Sequence, residues 1–273
     1  MPDHGGITFT LDLEHHWYAA DRDRFVGPTE ELLALTQRLE VRGTVFVLGE
    51  VVESHPDLVR RFAAAGHEIA LHGHHHTPLP ELDLAGMRAD IEAGQALVES
   101  VSGATCVGYR APFFSLVPEA RAIVGVLADL GFTYSSSVLP AGNPQFGWPG
   151  APTTPFRWPE GVVELPVPVC TFAGKGIPYL GGTYLRVLPD AFARLGMRRG
   201  RDQLWWTYCH PYDIDAAEQF VVIPQLGRAQ SRLLWIRRAA MLRKLEALLT
   251  VAAAGPLRER VATLDDFAAA PAT

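Results

Sequence analysis

The sequence predicts a single-domain α/β protein built on a parallel sheet. Short apolar runs rich in β-branched and aromatic residues alternate with helix-patterned stretches at the spacing of βα units. Ionisable residues recur just after those runs, at the sheet's carboxyl edge, where parallel α/β folds bind their ligands. A chain of 273 residues, 48% hydrophobic and 20% charged, suits one large core better than two small ones. Parallel crossovers are right-handed, and such a sheet either opens into a doubly wound layer or closes as a barrel.

Residues 7–13 read as a buried first strand. A helix is expected over 29–42, with Leu32, Leu33, Leu35 and Leu39 inward, and a second strand over 44–48. Pro56 opens a helix that Gly66 ends. A third strand over 68–71 leads into a histidine-rich stretch. Asp83 caps a helix running through Leu97 and Val98 to just before Gly103, and 106–109 form a fourth strand. A helix over 119–130 ends at Gly131, and a fifth strand follows over 133–137. From 139 to 157 the rhythm breaks: Pro140, Asn143-Pro144, Gly147-Trp148-Pro149-Gly150 and Pro152 read as a long ordered loop. Phe146 and Trp148 mark that loop as a cover over substrate. Strands over 161–166 and 204–209, a tight turn at 181–184 and an amphipathic helix over 229–252 complete the chain. The arginines of that helix read as a solvated face, and 268–273 as a frayed tail.

Composition excludes several functions. A net charge of -6 without a basic patch argues against nucleic-acid binding. No apolar run reaches the roughly 18 residues of a membrane span, and residues 1–6 lack the basic and apolar regions of a signal peptide. Cys106, Cys170 and Cys209 are odd in number and widely spaced, the pattern of buried thiols in a reducing compartment. Together these features favour the cytoplasm.

The chemistry concentrates at the strand ends. Leu71-His72-Gly73-His74-His75-His76 places four of the ten histidines within five residues. Imidazole is a common zinc ligand, and His72 and His76, four apart, would share one side of a helical turn. Asp12 and Glu14 share one face of an extended strand. A hydrolytic metal site needs about three protein ligands and an open position for water; two histidines and one carboxylate meet that need, and the second carboxylate is free to act as base. Arg110 can hold that base ionised, and His210 can protonate a leaving nitrogen. His15, His16, His74 and His75 are rival ligands, whereas His55 and His67 read as surface or helix-end residues.

Taken together, these residues resemble the polysaccharide deacetylases, or family 4 carbohydrate esterases, over roughly residues 7–215. Leu11-Asp12-Leu13-Glu14 is similar to the first motif of that family. Gly66–Leu71 followed by His72 and His76 is similar to the second, Arg110-Ala111-Pro112-Phe113 to the third, and Tyr208-Cys209-His210-Pro211 to the last. Thr44–Gly49 and His55-Pro56-Asp57-Leu58 also look like family sequence. Tyr134–Ser137, Pro155-Phe156-Arg157, Gly181–Arg186 and His210–Asp215 resemble a bacterial subgroup associated with exopolysaccharide and surface-glycan gene clusters. Two departures stand out. The acidic pair is spaced rather than adjacent, and a serine of Tyr134-Ser135-Ser136-Ser137 stands where an aspartate often accompanies the catalytic histidine.

The resemblance implies a distorted (β/α)7 barrel, a single catalytic domain over 1–273, and hydrolysis of an N-acetyl group on an amino sugar. It assigns Asp12 as base, Arg110 as its orienter and His210 as acid. Glu14, His72 and His76 would hold a divalent metal, zinc by default with cobalt, nickel or iron as alternatives. Phe113, Pro112, Trp148 and Tyr184 are the candidate substrate contacts, with a backbone N–H near Phe113 stabilising the oxyanion. The substrate is expected to be a glycan, a lipid-linked sugar or a sugar precursor. Another C–N hydrolase of allantoinase or deformylase type, or a non-catalytic sugar-binding relative, are the competing expectations.

Overall fold

The structure is a computed structural model that describes residues 5–16, 18–19, 21–143, 145–224 and 226–271. Residues 1–4, Pro144 of the long loop and the last two residues of the tail lie outside the described residues. Strands β1 (Thr10–Leu13), β2 (Thr44–Val47), β3 (Glu68–Leu71), β4 (Gly108–Tyr109), β5 (Tyr134–Ser135) and β6 (Val163–Glu164) pair in parallel in that order. Phe156–Arg157 adds an antiparallel edge beside β6. The expected strand over 204–209 appears as single parallel bridges, Leu11 to Cys209, Thr8 to Trp206 and Gly181 to Tyr208. These bridges close the sheet into the distorted (β/α)7 barrel.

Alternation along the strands sorts the core. Leu11, Leu13, Val45, Val47 and Leu71 pack outward with the helices. Phe46, Ala70, Tyr134, Trp206 and Tyr208 form a second cluster inside the barrel. Thr10 and Asp12 share the parity opposite to Leu11 and Leu13, so Asp12 enters the interior, and Glu14 continues that side at the rim.

The helices follow their signals, with shifted ends. Helix α1 spans Val26–Arg38 instead of 29–42, and α2 (Gly49–Ser54) precedes α3 (Pro56–Ala64), which has Pro56 in its first turn. Helix α4 (Leu84–Ser102) begins as expected, with Asp83 Oδ1 accepting from the Gly86 N–H at 2.7 Å, and ends at Gly103 in the left-handed conformation. The expected 119–130 helix splits into a short turn at Pro118–Ala120 and α5 (Ile123–Asp129). Beyond β6 come a hairpin of β7 (Val169–Phe172) and β8 (Lys175–Pro178), then α6 (Gly182–Val187) and α7 (Asp190–Arg199).

Four expectations are corrected. The long C-terminal helix is two helices, α8 (Gly227–Trp235) and α9 (Arg238–Ala252), because Arg237 adopts a left-handed φ of 59°. Residues 7–13 are not one strand: Ile7–Thr8 pairs instead with Ala253–Ala254. His67 is a buried structural residue. Its Nδ1 accepts from the Gly43 N–H at 3.1 Å, its Nε2 lies 3.1 Å from Thr36 Oγ1, and burial pulls its pKa to about 4. Ala268 is not frayed, since its N–H donates to Pro155 O at 3.0 Å. The three cysteines are buried free thiols, as expected.

Helix α10 (Leu257–Val261) meets the amino end of the barrel. The Leu257 N–H donates to Thr44 Oγ1 at 2.9 Å and the Arg258 N–H to Glu68 Oε2 at 3.0 Å. At the closing seam a Cβ on Gly181 would stand 2.2 Å from Tyr208 O. Only glycine permits that approach. Gly181→Ala is therefore expected to lower stability by about 1–3 kcal/mol, measured as a smaller denaturation midpoint than wild type.

Candidate active site

The expected ionisable residues do meet at the carboxyl rim. Arg110, directly after β4, is fully buried and lies between the rings of Phe46 and Trp206, at 3.9 and 4.4 Å from their centroids. One terminal nitrogen donates to Asp12 Oδ1 and, at 2.9 Å, to Thr10 Oγ1. The other donates to Ser136 Oγ at 3.1 Å, and Nε donates to Ser136 O at 3.3 Å. Burial pulls the guanidinium's pKa down, against the opposing attraction of Asp12. Asp12 is thus a buried carboxylate with its cation already in place.

Glu14, His72 and His76 form a second group, with donor atoms all within 4.8 Å of one another. Glu14 Oε2 lies 2.6 Å from His76 Nε2 and 3.6 Å from His72 Nε2, yet it is buried and has hydrogen-bond geometry to neither. Three lone-pair donors converging without hydrogen-bonding each other have the chemistry of a cation site, so these residues fit a divalent metal. His72 Nδ1 stands 2.9 Å from Arg110 O, which assigns the proton to Nδ1 and leaves Nε2 bare. Burial pushes the Glu14 carboxyl up, but His76 and His72 together hold it well below the usual range.

The histidine pair is not carried on a helical turn, which corrects that expectation. The segment is a loop, with Gly73 at φ 84° and His76 at φ 57°. Asp90 on α4 pins it by accepting from the His74 N–H at 2.8 Å and the His75 N–H at 3.1 Å. No periodicity in the sequence announces Asp90. Of the rival ligands, His75 Nδ1 lies 3.0 Å from Glu50 Oε1, and His15 Nδ1 lies 3.2 Å from Arg22 O. His74 Nδ1 is buried without a partner and would meet any Cβ on Gly49 at 2.1 Å. His16 joins Asp215 and Glu218 in another possible ligand set. There Arg24 sits 2.7 Å from Asp215 and Arg238 sits 2.6 Å from Glu218, so guanidinium charge already neutralises the carboxylates.

His210 faces the first group, with Nε2 3.7 Å from Asp12 Oδ2. Its Nδ1 lies 2.9 Å from Asp213 Oδ2, and Asp213 is paired with Arg186 on α6 at 2.9 Å. Asp213 is the residue that sequence reasoning missed. Serines occupy the position expected for the partner of the histidine, and they serve Arg110 and the neighbouring chain instead: Ser137 Oγ accepts from the Ala111 N–H at 2.8 Å. The signal was present three residues after His210, in Asp213, within a turn too short to show periodicity. The Tyr212 ring stacks on His210 with centroids 4.6 Å apart. Burial disfavours the imidazolium, but Asp213, Glu14 and Asp12 outweigh it and push His210 up to about 9.

A cavity of about 200 Å³ opens beside His210, lined by Phe113, Asn143, Gln145, Tyr184, Tyr208 and Tyr212 among others. Phe113 and Tyr184, two of the expected substrate contacts, both line this cavity. Pro112 is buried and starts the turn Pro112–Phe114. Trp148 is corrected: it is buried against Trp158, with ring centroids 5.9 Å apart, so it anchors the long loop. Among the described residues of that loop, Leu139, Asn143 and Gln145 line the cavity.

Residues 21–135 match the family model described as polysaccharide deacetylase, and residues 136–261 match a domain of unknown function, DUF3473. A chitooligosaccharide deacetylase of Rhizobium leguminosarum bv. trifolii is 40% identical over 73 residues, 26% of this chain and 34% of that protein. A peptidoglycan deacetylase-like protein of Gibberella zeae is 29% identical over 109 residues, 39% of this chain and 31% of that one. The chain thus spans about a third of the length of these curated relatives. In fold, a Mycobacterium smegmatis structure provisionally described as a polysaccharide deacetylase superposes with a TM-score of 0.61 at 22% identity, covering 100% of this chain and 96% of that one.

Removing the central cation tests the framework. Arg110→Ala strands Asp12 in the barrel and is expected to cost about 3–5 kcal/mol. Arg110→Lys keeps the charge but loses the planar fork, so its denaturation midpoint should fall between those of wild type and the alanine variant.

Proposed function

We propose, on the premise that the chain belongs to the polysaccharide deacetylase family, that it is a divalent-metal-dependent hydrolase of N-acetylated amino sugars. One observation carries this reading. The unsatisfied Glu14 Oε2 faces two imidazole nitrogens, beside an acid–base pair 3.7 Å apart. Glu14, His72 and His76 would hold the ion, with zinc as the first choice for a set of two imidazoles and one carboxylate. When bound, the cation would polarise the amide carbonyl and make the attacking water more acidic.

The residues divide the remaining work. Asp12, paired with Arg110 through Oδ1, accepts a proton from the attacking water at Oδ2, the oxygen turned toward His210. Asp213 and Arg186 orient His210 through Nδ1, so the proton for the departing nitrogen sits on Nε2. Water adds to the acetyl carbonyl, the C–N bond breaks as His210 protonates the nitrogen, and acetate and a free amine leave. The backbone N–H of Phe113, at the cavity wall, is the proposed oxyanion donor. A cavity near 200 Å³, below the usual 300–1,000 Å³ of ligand pockets, suits one sugar ring with its acetamide. Tyr184, Tyr208 and Tyr212 supply apolar faces with polar edges against that ring.

The test is mass spectrometry of N-acetyl amino sugars, free and lipid-linked, after incubation with zinc-loaded protein. Loss of an acetyl mass is the expected result. Cleavage of ureides or formamides without it would favour another C–N hydrolase. Asp12→Asn is expected to slow turnover at least 100-fold with an unchanged circular dichroism spectrum. His72→Ala should reduce bound zinc, read by elemental analysis, together with turnover.

The acid carries a pH signature. His210 stays protonated until pH rises through its elevated pKa, near 9. Activity should therefore fall on the alkaline side, and Asp213→Asn should move that limb to lower pH. An unmoved limb would remove Asp213 from the role assigned to it.

A further inference from the structure

A second surface is built differently from the rest of the chain. The protein carries a net charge of -6, yet from Gln219 to Leu245 there is no Asp or Glu and there are six cations. Arg238 and Lys244 are buried and bonded inward. Arg228 and Arg232 are exposed on α8, and Arg237 is exposed at the break after it. The same stretch contains Phe220, Val221, Val222, Leu233 and Ile236, all 38–46% exposed. Among the described residues only Leu84, Phe172 and Val251 are other large hydrophobics this open.

These groups form one face. The Arg232 guanidinium lies 5.4 Å from the Phe220 ring, and Phe220 packs on Trp235 at 5.2 Å. Val221 and Val222 line a groove of about 710 Å³ together with Tyr18, Arg24 and Pro224. The carboxylates at its margin are engaged: Asp215 by Arg24, and Glu218 by Arg238 and His16. Asp21 also lines the groove and accepts from the Asp23 N–H. Helix α8 is far too short to span a bilayer.

Apolar side chains interleaved with arginines, without carboxylates among them, are the makeup of a surface that lies in the interface of an anionic bilayer. Charge complementarity selects that occupant: the chain's other carboxylate-free cationic stretch, Arg194–Arg201, has no exposed large hydrophobic among its arginines, so only the 219–237 face joins both features among the described residues. We propose that the 219–237 face docks the protein reversibly on an anionic lipid surface. The face adjoins the catalytic rim: Trp235 touches Tyr18 at 5.1 Å, Tyr18 touches Tyr212 at 6.1 Å, and Tyr212 stacks on His210. Docking is independent of the deacetylase reading and needs no substrate.

Vesicle co-sedimentation of the whole chain tests it, with phosphatidylcholine alone against phosphatidylcholine mixed with phosphatidylglycerol. Binding is expected only with the anionic lipid, and it should weaken as salt is raised. Each arginine near such a surface contributes about 1 kcal/mol. Arg228→Ala combined with Arg232→Ala should therefore lower partitioning about 25-fold while circular dichroism stays unchanged. Equal binding to both vesicles, or to neither, would overturn the proposal. So would a dimer in light scattering that the double variant abolishes, since a second copy would then cover the face.

Discussion

The ion pair between Arg110 and Asp12 is the constraint around which the barrel is arranged. A guanidinium with no exposure to water loses hydration worth several kcal/mol, so every neighbour has to answer it. Asp12 supplies charge, Thr10 and Ser136 accept its remaining protons, and Phe46 and Trp206 present ring faces above and below. The carbonyl of Arg110 itself fixes the tautomer of His72. One residue thereby ties the proposed base to the proposed metal ligand, and the strand after which it stands needs only two ladder residues to hold it.

The buried carboxylates divide by environment. Glu14 and Asp213 are held low, because burial is overridden by imidazoles in one case and chiefly by Arg186 in the other. Glu68 and Glu164 are held high, because burial dominates over the hydroxyl and backbone donors around them. Glu164 Oε1 accepts from the N–H groups of Ser137 and Val138, and Glu68 Oε2 from Thr44 Oγ1 and the Arg258 N–H. The first pair sits at the rim where charge is used. The second pair stitches chain to chain in a framework where charge would be a burden.

Much of this was legible in the sequence because the signals were periodic or chemical. Alternation in Leu11-Asp12-Leu13-Glu14 put two carboxylates on one side, and the capping residue Asp83 and the stop at Gly103 bounded α4 correctly. What escaped depended on loop geometry. The histidine pair meets through a left-handed glycine and Asp90, which lies sixteen residues beyond His74. The break at Arg237 hides inside an unbroken amphipathic pattern, because a positive φ at arginine leaves no mark on composition. Trp148 looked like a substrate contact because aromatic residues in loops often are, yet its partner Trp158 lies ten residues away, across the proline-rich turn. Asp213 lies in the His210–Asp215 motif, but its partnership with His210 belongs to a three-residue turn.

The seam where the barrel closes has a further meaning. Most neighbouring strands are zipped by consecutive ladder pairs, whereas residues 206–209 touch their neighbours at isolated points. A wall held by single rungs exchanges its amide hydrogens sooner than a wall held by ladders. His210 follows that wall directly. The proposed acid thus follows a wall held by single rungs, whereas the proposed base stands on β1, zipped to β2 by four consecutive pairs and tied to Arg110.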